Sequence, residues 1–174
     1  QDLANEYNHV FWKIDPSRKM YDGFFGKKWI YSFIPNMGGK IPLNGKLDVY
    51  ASIPSLALNY ENKKNLVGFG FAPEGIENNE IVYELLSDIA WTKEKIELNP
   101  WIEKYGIQRY GAFPEHMKTA FEWLNKSAFG SFTDHPMHRY QFRPNKKPEG
   151  VENHATVHKS AEFGKAVEYF LKSI

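Results

Sequence analysis

The sequence predicts an α/β fold followed by an all-helical region. Two observations lead to this prediction. Apolar runs typical of buried parallel strands occur at residues 28–34 and 66–72, and each is followed by turn residues and a helical pattern. Strand-like runs then stop after Trp91, and the remaining apolar residues recur at helical spacing. We therefore expect strand–helix units in residues 1–95 and helices alone in residues 96–174.

The first clear strand is predicted over Lys28–Ile34, whose sequence KWIYSFI is rich in aromatic and β-branched residues. The stretch from Pro35 to Lys40, with its glycine pair, ends it. A helix is expected from about Leu47 to Leu58, interrupted by Pro54. Near the start of the chain, Asp2-Leu3-Ala4 has the composition of a strand end.

The second clear strand is predicted over Leu66–Ala72, in the sequence LVGFGFA. Its nearly unbroken apolar character indicates a parallel strand covered on both faces. Gly68 and Gly70 lie two residues apart, so they share one face and leave room there for a close approach. Pro73 cannot donate a ladder hydrogen bond and ends the strand, and Glu74 follows it directly.

The rest of the chain shows four amphipathic patterns that predict helices. They are Ile81–Ile89 after a cap at Asn78 or Asn79, Leu98–Tyr110 with Asn99 as its cap, Glu115–Ala128, and Ser160–Ile174. A polar loop is expected between the last two. Three strands, counting Asp2–Ala4, cannot close a barrel, and an open parallel sheet of that size would have long bare edges. We therefore expect a piece of a larger α/β domain that lacks its N-terminal part.

The composition excludes several classes of protein. A net charge of +1 with 25% charged residues gives no electrostatic reason to expect nucleic acid or an anionic membrane as a partner. No apolar run approaches the roughly 20 residues that a membrane helix needs. The absence of cysteine excludes disulfides and thiol catalysis. Aromatic residues make up 16% of the chain, which fits either a well-filled core or a surface that stacks on sugars or bases.

Glu74 is the main catalytic candidate, because α/β barrels place catalytic residues just past the carboxyl ends of their strands. A carboxylate there can attack an anomeric carbon or act as a general acid/base. The alternative is a solvated carboxylate in an ordinary Pro-Glu-Gly turn.

Asn36 follows the other clear strand and could bind a sugar hydroxyl. Alternatively, the backbone of Asn36–Lys40 could cradle a phosphate, although the longer glycine pattern of phosphate loops is missing. His154 and His158 have the spacing of two zinc ligands but lack the glutamate that zinc hydrolases place between them. We predict neither a metal nor a cofactor.

The stretch VGFGFAPEGIENNEIVYELLSDIAW, from Val67 to Trp91, resembles the signature of glycoside hydrolase family 89, the α-N-acetylglucosaminidases. That signature comprises a Gly-x-Gly strand, Ala-Pro-Glu-Gly-Ile, an Asn-Glu pair and a helix ending in Trp. Weaker matches follow the same order. They are Asp2-Leu3 with Glu6, Trp29–Gly39 with Leu43 and Gly45, Arg109-Tyr110-Gly111, and the loop from His135 to Pro144.

The resemblance implies the C-terminal part of a (β/α)8 barrel in residues 1–95 and the start of an all-α domain in residues 96–174. It implies that Glu74 is the nucleophile of a retaining enzyme that removes terminal α-linked N-acetylglucosamine from glycans, and that Asn36 and His135 lie near the substrate. The acid/base residue would belong to the missing N-terminal part of the same protein, so this chain alone should be inactive. A secreted or periplasmic bacterial protein is implied. The alternatives are a non-catalytic carbohydrate-binding relative and a phosphosugar-binding domain.

Overall fold

The computed structural model describes residues 25–33, 45–59, 65–73, 78–129 and 160–173. The elements in chain order are β1 (Trp29–Phe33), α1 (Leu47–Tyr50), α2 (Ile53–Leu58), β2 (Leu66–Phe71), α3 (Glu80–Ile89), α4 (Leu98–Tyr110), α5 (Glu115–Lys126) and α6 (Ser160–Leu171). The fold is therefore α/β, as predicted. The expected strand end at Asp2–Ala4 lies outside these residues.

β1 and β2 pair in parallel and form a two-stranded sheet in the described part of the chain. Trp29 is opposite Leu66 at one end and Phe33 is opposite Phe71 at the other, with one irregularity between Trp29 and Ile30. Because the strands are parallel and end in register, their carboxyl ends lie at the same edge of the sheet.

The sheet is covered on one face. Tyr31 and Phe69 lie side by side on that face, with stacked rings 6.3 Å apart, and Tyr31 is 3% exposed because it packs into the helical core. On the other face Ile30 is 61% exposed beside Gly68, where an added Cβ would lie 3.5 Å from the Ile30 side chain. The prediction that β2 is covered on both faces is therefore wrong for the described structure.

The core lies between the covered face and the helices. α3 contributes its apolar stripe as the sequence predicts, and the five buried residues of that stripe are Ile81, Val82, Leu85, Leu86 and Ile89. α1 adds Leu47 and Val49, both at most 1% exposed. Burial of this apolar surface is the main favourable contribution to folding. In the part of the chain with described helices, none is both long and apolar enough to cross a membrane.

Two details of the helices differ from the prediction. The single helix expected over Leu47–Leu58 is two short helices, because Pro54 lacks the N–H that would continue the first one and instead lies in the first turn of α2. α4 begins at Leu98, so Asn99 lies inside the helix and is not its cap. The cap residue is Glu97, whose carbonyl accepts a hydrogen bond from the Trp101 N–H at 3.2 Å. Asn79 does precede α3, as predicted.

α5 and α6 pack against each other in the helical half. Ala120 and Ala166 are fully buried, and the rings of Phe121 and Phe170 meet edge to face at 5.4 Å. The small alanines allow the helices to approach closely, and the aromatic pair fills the space beside them.

α3 and α4 are joined by polar contacts near both ends of α3. The Trp101 Nε1–H donates a hydrogen bond of 2.7 Å to Asp88 Oδ2, and Arg109 pairs with Glu80. The first contact involves a side chain that is only 8% exposed and stacks on Tyr105. The helical half of the chain is therefore attached to the strand–helix half.

We expect Trp101→Phe to lower the free energy of unfolding by about 1–2 kcal/mol, because a charge-assisted hydrogen bond and some buried surface are lost. Trp91→Phe is the matched control, since Trp91 is 92% exposed, and it should change stability by less than about 0.5 kcal/mol. Urea denaturation followed by circular dichroism measures both. Equal stabilities for the two variants would contradict the importance of this contact.

Candidate functional site

The candidate site is the edge of the sheet where β1 and β2 both end. β2 ends at Phe71, and the described chain continues through Ala72 and Pro73. The predicted site residues Glu74, Asn36 and His135 lie outside the described residues, as do His154 and His158. The described residues around this edge nevertheless show how the segment between β2 and α3 is attached at its two ends.

Tyr83, in the first turn of α3, contacts residues on both sides of that segment. Its ring meets the ring of Phe71 edge to face, with centroids 5.5 Å apart and an interplanar angle of 62°. Its hydroxyl donates a hydrogen bond of 3.0 Å to Asn78 Oδ1. The last residue of β2 and a residue just before α3 are thus linked through one side chain.

Sequence reasoning did not identify Tyr83. In the sequence it is one residue of an amphipathic helix, flanked by the apolar stripe that was assigned to the core. The signal that could have pointed to it is an aromatic residue in the first turn of a helix that directly follows a buried strand, because such a residue lies next to the strand end.

The helical half approaches the same edge through Arg109 of α4, which forms an ion pair with Glu80, the first residue of α3. The pKa of the Arg109 guanidinium is raised, first by its electrostatic interaction with Tyr105 and then by that with Glu80. Arg109 therefore stays cationic and holds α4 beside the N-terminal end of α3. Both side chains are largely exposed, so the ion pair adds little to the stability of the fold, and its main effect is to orient α4 relative to α3.

Tyr105, one turn before Arg109, has a pKa raised well above its ordinary value, chiefly because it is buried and secondarily because Tyr110 lies nearby. The Tyr105 hydroxyl therefore binds its proton more tightly in the folded protein than in the unfolded chain, so folding favours the neutral phenol. This contribution to stability is complete below the unfolded pKa of 10.0 and is lost as the pH rises above it.

A cavity of about 260 Å³ lies near the opposite end of the sheet, between Leu66 of β2, Leu58 of α2 and Ile89 of α3. Among the described residues, its lining contains no acidic, basic or histidine side chain, and the Tyr31 phenol is its one titratable group. This part of the lining therefore offers no carboxylate or imidazole for catalysis. Within the ranges that the structure describes, no group of three or more His, Asp or Glu side chains could hold a metal ion.

Comparison with known proteins gives one consistent family. The family model described as the alpha-N-acetylglucosaminidase (NAGLU) TIM-barrel domain matches residues 2–93. The protein named alpha-N-acetylglucosaminidase from Homo sapiens is 33% identical over 121 residues, which are 69% of this chain and 16% of that protein.

Two solved structures show the same similarity. A family 89 glycoside hydrolase from Clostridium perfringens, in complex with 2-acetamido-1,2-dideoxynojirmycin, matches with a TM-score of 0.69 and 29% identity over 83% of this chain and 17% of the other. A family 89 protein from the same organism, with two glutamates replaced by glutamine and in complex with its substrate GlcNAc-alpha-1,4-galactose, matches with a TM-score of 0.65 and 28% identity over the same shares. The chain thus spans less than a fifth of the length of these relatives.

Proposed function

The chain belongs to the alpha-N-acetylglucosaminidase family, glycoside hydrolase family 89, and on this basis we propose that it is a segment of a retaining glycoside hydrolase that removes terminal α-linked N-acetylglucosamine. Glu74 supplies the nucleophile, and the acid/base residue belongs to the N-terminal part of the same protein. The chain alone is inactive because retention needs both carboxyl groups, roughly 5 Å apart.

The observation that carries the proposal is the place of Glu74 in the chain. It follows Pro73 directly and lies three residues after Phe71, the last residue of a strand that is paired in parallel with its neighbour. Catalytic residues of (β/α)8 barrels lie at that edge. The substrate complex of the Clostridium perfringens relative, obtained with two glutamates replaced by glutamine, supports a reaction that depends on a pair of glutamates.

The architecture we propose is the C-terminal part of a (β/α)8 barrel in residues 1–95 and the start of an all-α domain in residues 96–174. The sheet supports it, because one face packs on helices whereas the other leaves Ile30 61% exposed. In a barrel the first face is the outer one and the second faces the interior, which the N-terminal strands complete. The stretch matched by the barrel family model, residues 2–93, is compatible with this division.

The reaction proceeds in two steps. The Glu74 carboxylate attacks the anomeric carbon while the bond from that carbon to the leaving-group oxygen breaks, and the acid residue protonates that oxygen. Water then attacks the glycosyl-enzyme with help from the same residue acting as base, which releases the sugar with its configuration retained and frees Glu74. Asn36 and His135 contact the sugar in this proposal. We further propose, from the family resemblance, a secreted or periplasmic bacterial protein.

The test compares the full-length protein with the 174-residue chain on an aryl α-N-acetylglucosaminide. We expect the full-length protein to release the α-anomer first, as seen by proton NMR, and the isolated chain to show no turnover. Release of the β-anomer would contradict a covalent role for Glu74. A full-length protein that binds N-acetylglucosamine without turnover would favour the non-catalytic carbohydrate-binding alternative.

A further inference from the structure

We propose that Tyr83 is a positioning residue that fixes the segment carrying Glu74 at both of its ends. This inference rests on the proposed function, since it takes Glu74 as the nucleophile. Tyr83 does not touch the reacting atoms in this proposal. It acts through the residues between β2 and α3.

The first step is the attachment at the strand end. Phe71 is the last residue of β2 and is 36% exposed, and the Tyr83 ring packs edge to face against it. Such aromatic pairs contribute about 0.5–1.5 kcal/mol beyond the surface they bury. The pair thus ties the end of β2 to the first turn of α3. Phe71, the attached residue of β2, lies three residues before Glu74 in the chain.

The second step is the attachment at the helix end. Asn78 accepts the hydrogen bond from the Tyr83 hydroxyl, and Asn79, the cap residue of α3, accepts the Tyr83 backbone N–H. Asn78 is four residues after Glu74 in the chain. The same side chain that packs on the strand end therefore also holds the far end of the segment.

The third step is the rigidity of the support. Val82, the neighbour of Tyr83, is fully buried, and Leu86, one turn further on, is fully buried as well. These core residues fix the backbone of α3 and therefore the backbone position of Tyr83. A catalytic group is held accurately when its supporting residues stand on such a packed element. We therefore assign to Tyr83 the task of limiting the positions open to the Glu74 carboxylate.

The experiment uses Tyr83→Phe in the full-length protein, which keeps the ring on Phe71 and removes the hydroxyl. We expect kcat on an aryl α-N-acetylglucosaminide to fall by about tenfold, with KM and the unfolding temperature nearly unchanged, because a small displacement of the nucleophile slows attack more than binding. Tyr169→Phe on α6 is the matched control and should keep the wild-type kcat. An unchanged kcat in Tyr83→Phe would overturn the inference.

Asn78→Ala removes the other partner of the same hydrogen bond. If this hydrogen bond accounts for the loss of activity, kcat of the double variant Tyr83→Phe/Asn78→Ala should be no lower than kcat of the less active single variant. Fully additive losses would show that the two residues act separately and would contradict the proposed link.

A second readout separates positioning of Glu74 from a general structural effect. In Glu74→Ala, azide can attack the anomeric carbon of a dinitrophenyl α-N-acetylglucosaminide, with departure of dinitrophenolate and formation of the β-glycosyl azide. Adding Tyr83→Phe to this variant should leave the azide-dependent rate unchanged, because the carboxylate it positions is gone. A tenfold loss there as well would assign Tyr83 a merely structural role.

The two hypotheses fail in different ways. Wild-type turnover by Glu74→Ala would refute the proposed function and the inference together. An inactive Glu74→Ala with a fully active Tyr83→Phe would refute the inference alone.

Discussion

Glu74→Ala in the full-length protein is expected to lower turnover of an aryl α-N-acetylglucosaminide by at least about 10⁴-fold, which is the scale of losing the reacting group of an enzyme. The reason is that no covalent glycosyl-enzyme can form without the carboxylate. Water is a poor replacement, because the site positions a carboxylate and not a water molecule for attack on the anomeric carbon. The measurement is steady-state release of the aryl group. KM should change far less than kcat.

Glu94→Ala is the control for this variant. Glu94 is an exposed carboxylate on the connection between α3 and α4, so its removal should leave kcat and stability at wild-type values. Azide should restore part of the activity of Glu74→Ala. Glu94→Ala should reach the wild-type kcat without azide. If Glu74→Ala forms the α-glycosyl azide, or turns over without azide at the wild-type rate, Glu74 is not the nucleophile.

Gly45→Ala is expected to lower the free energy of unfolding by about 3 kcal/mol, because a strained backbone and a steric clash add up at this position. Gly45 has φ +132°, a conformation that residues with a side chain rarely adopt. An added Cβ would lie 2.6 Å from Val82 Cγ2 and 3.1 Å from the Tyr50 ring, and both neighbours are buried in the core. Chemical denaturation followed by circular dichroism measures the loss.

Gly111→Ala separates the two causes. Gly111 also has a positive φ, +81°, but an added Cβ there would meet nothing within 4 Å. This variant should therefore lose only about 1 kcal/mol, the cost of the left-handed backbone. Equal losses at the two glycines would show that the core around Val82 adapts to the extra methyl group.

The strands and the buried stripe of α3 could be predicted from the sequence because each depends on a local apolar pattern. The Lys28–Ile34 run became β1 and the stripe of α3 became the core of the molecule. The bounds of α4 match the predicted Leu98–Tyr110, but its cap was predicted wrongly. Asn99 is a good cap in isolation, whereas the carbonyl that accepts the hydrogen bond from the Trp101 N–H belongs to Glu97.

The coverage of β2 could not be predicted in the same way. Its apolar sequence indicates a strand buried on both faces, but in the described structure helices cover only one of them. What covers the other face depends on partners that a local pattern does not identify. Likewise, Glu74 could be chosen from its place after a strand, whereas Tyr83 could not, because its contacts with Phe71 and Asn78 arise only when β2 and α3 come together.

The two-stranded sheet has a consequence for handling the protein. In the described residues, β1 and β2 each have one side without a neighbouring strand, and such edges offer a row of backbone donors and acceptors to other chains. The segment produced by itself would thus be prone to self-association. The same edges could capture a separately expressed fragment that carries the adjoining strands, which makes the pair a natural starting point for a split-enzyme reporter whose signal depends on reassembly.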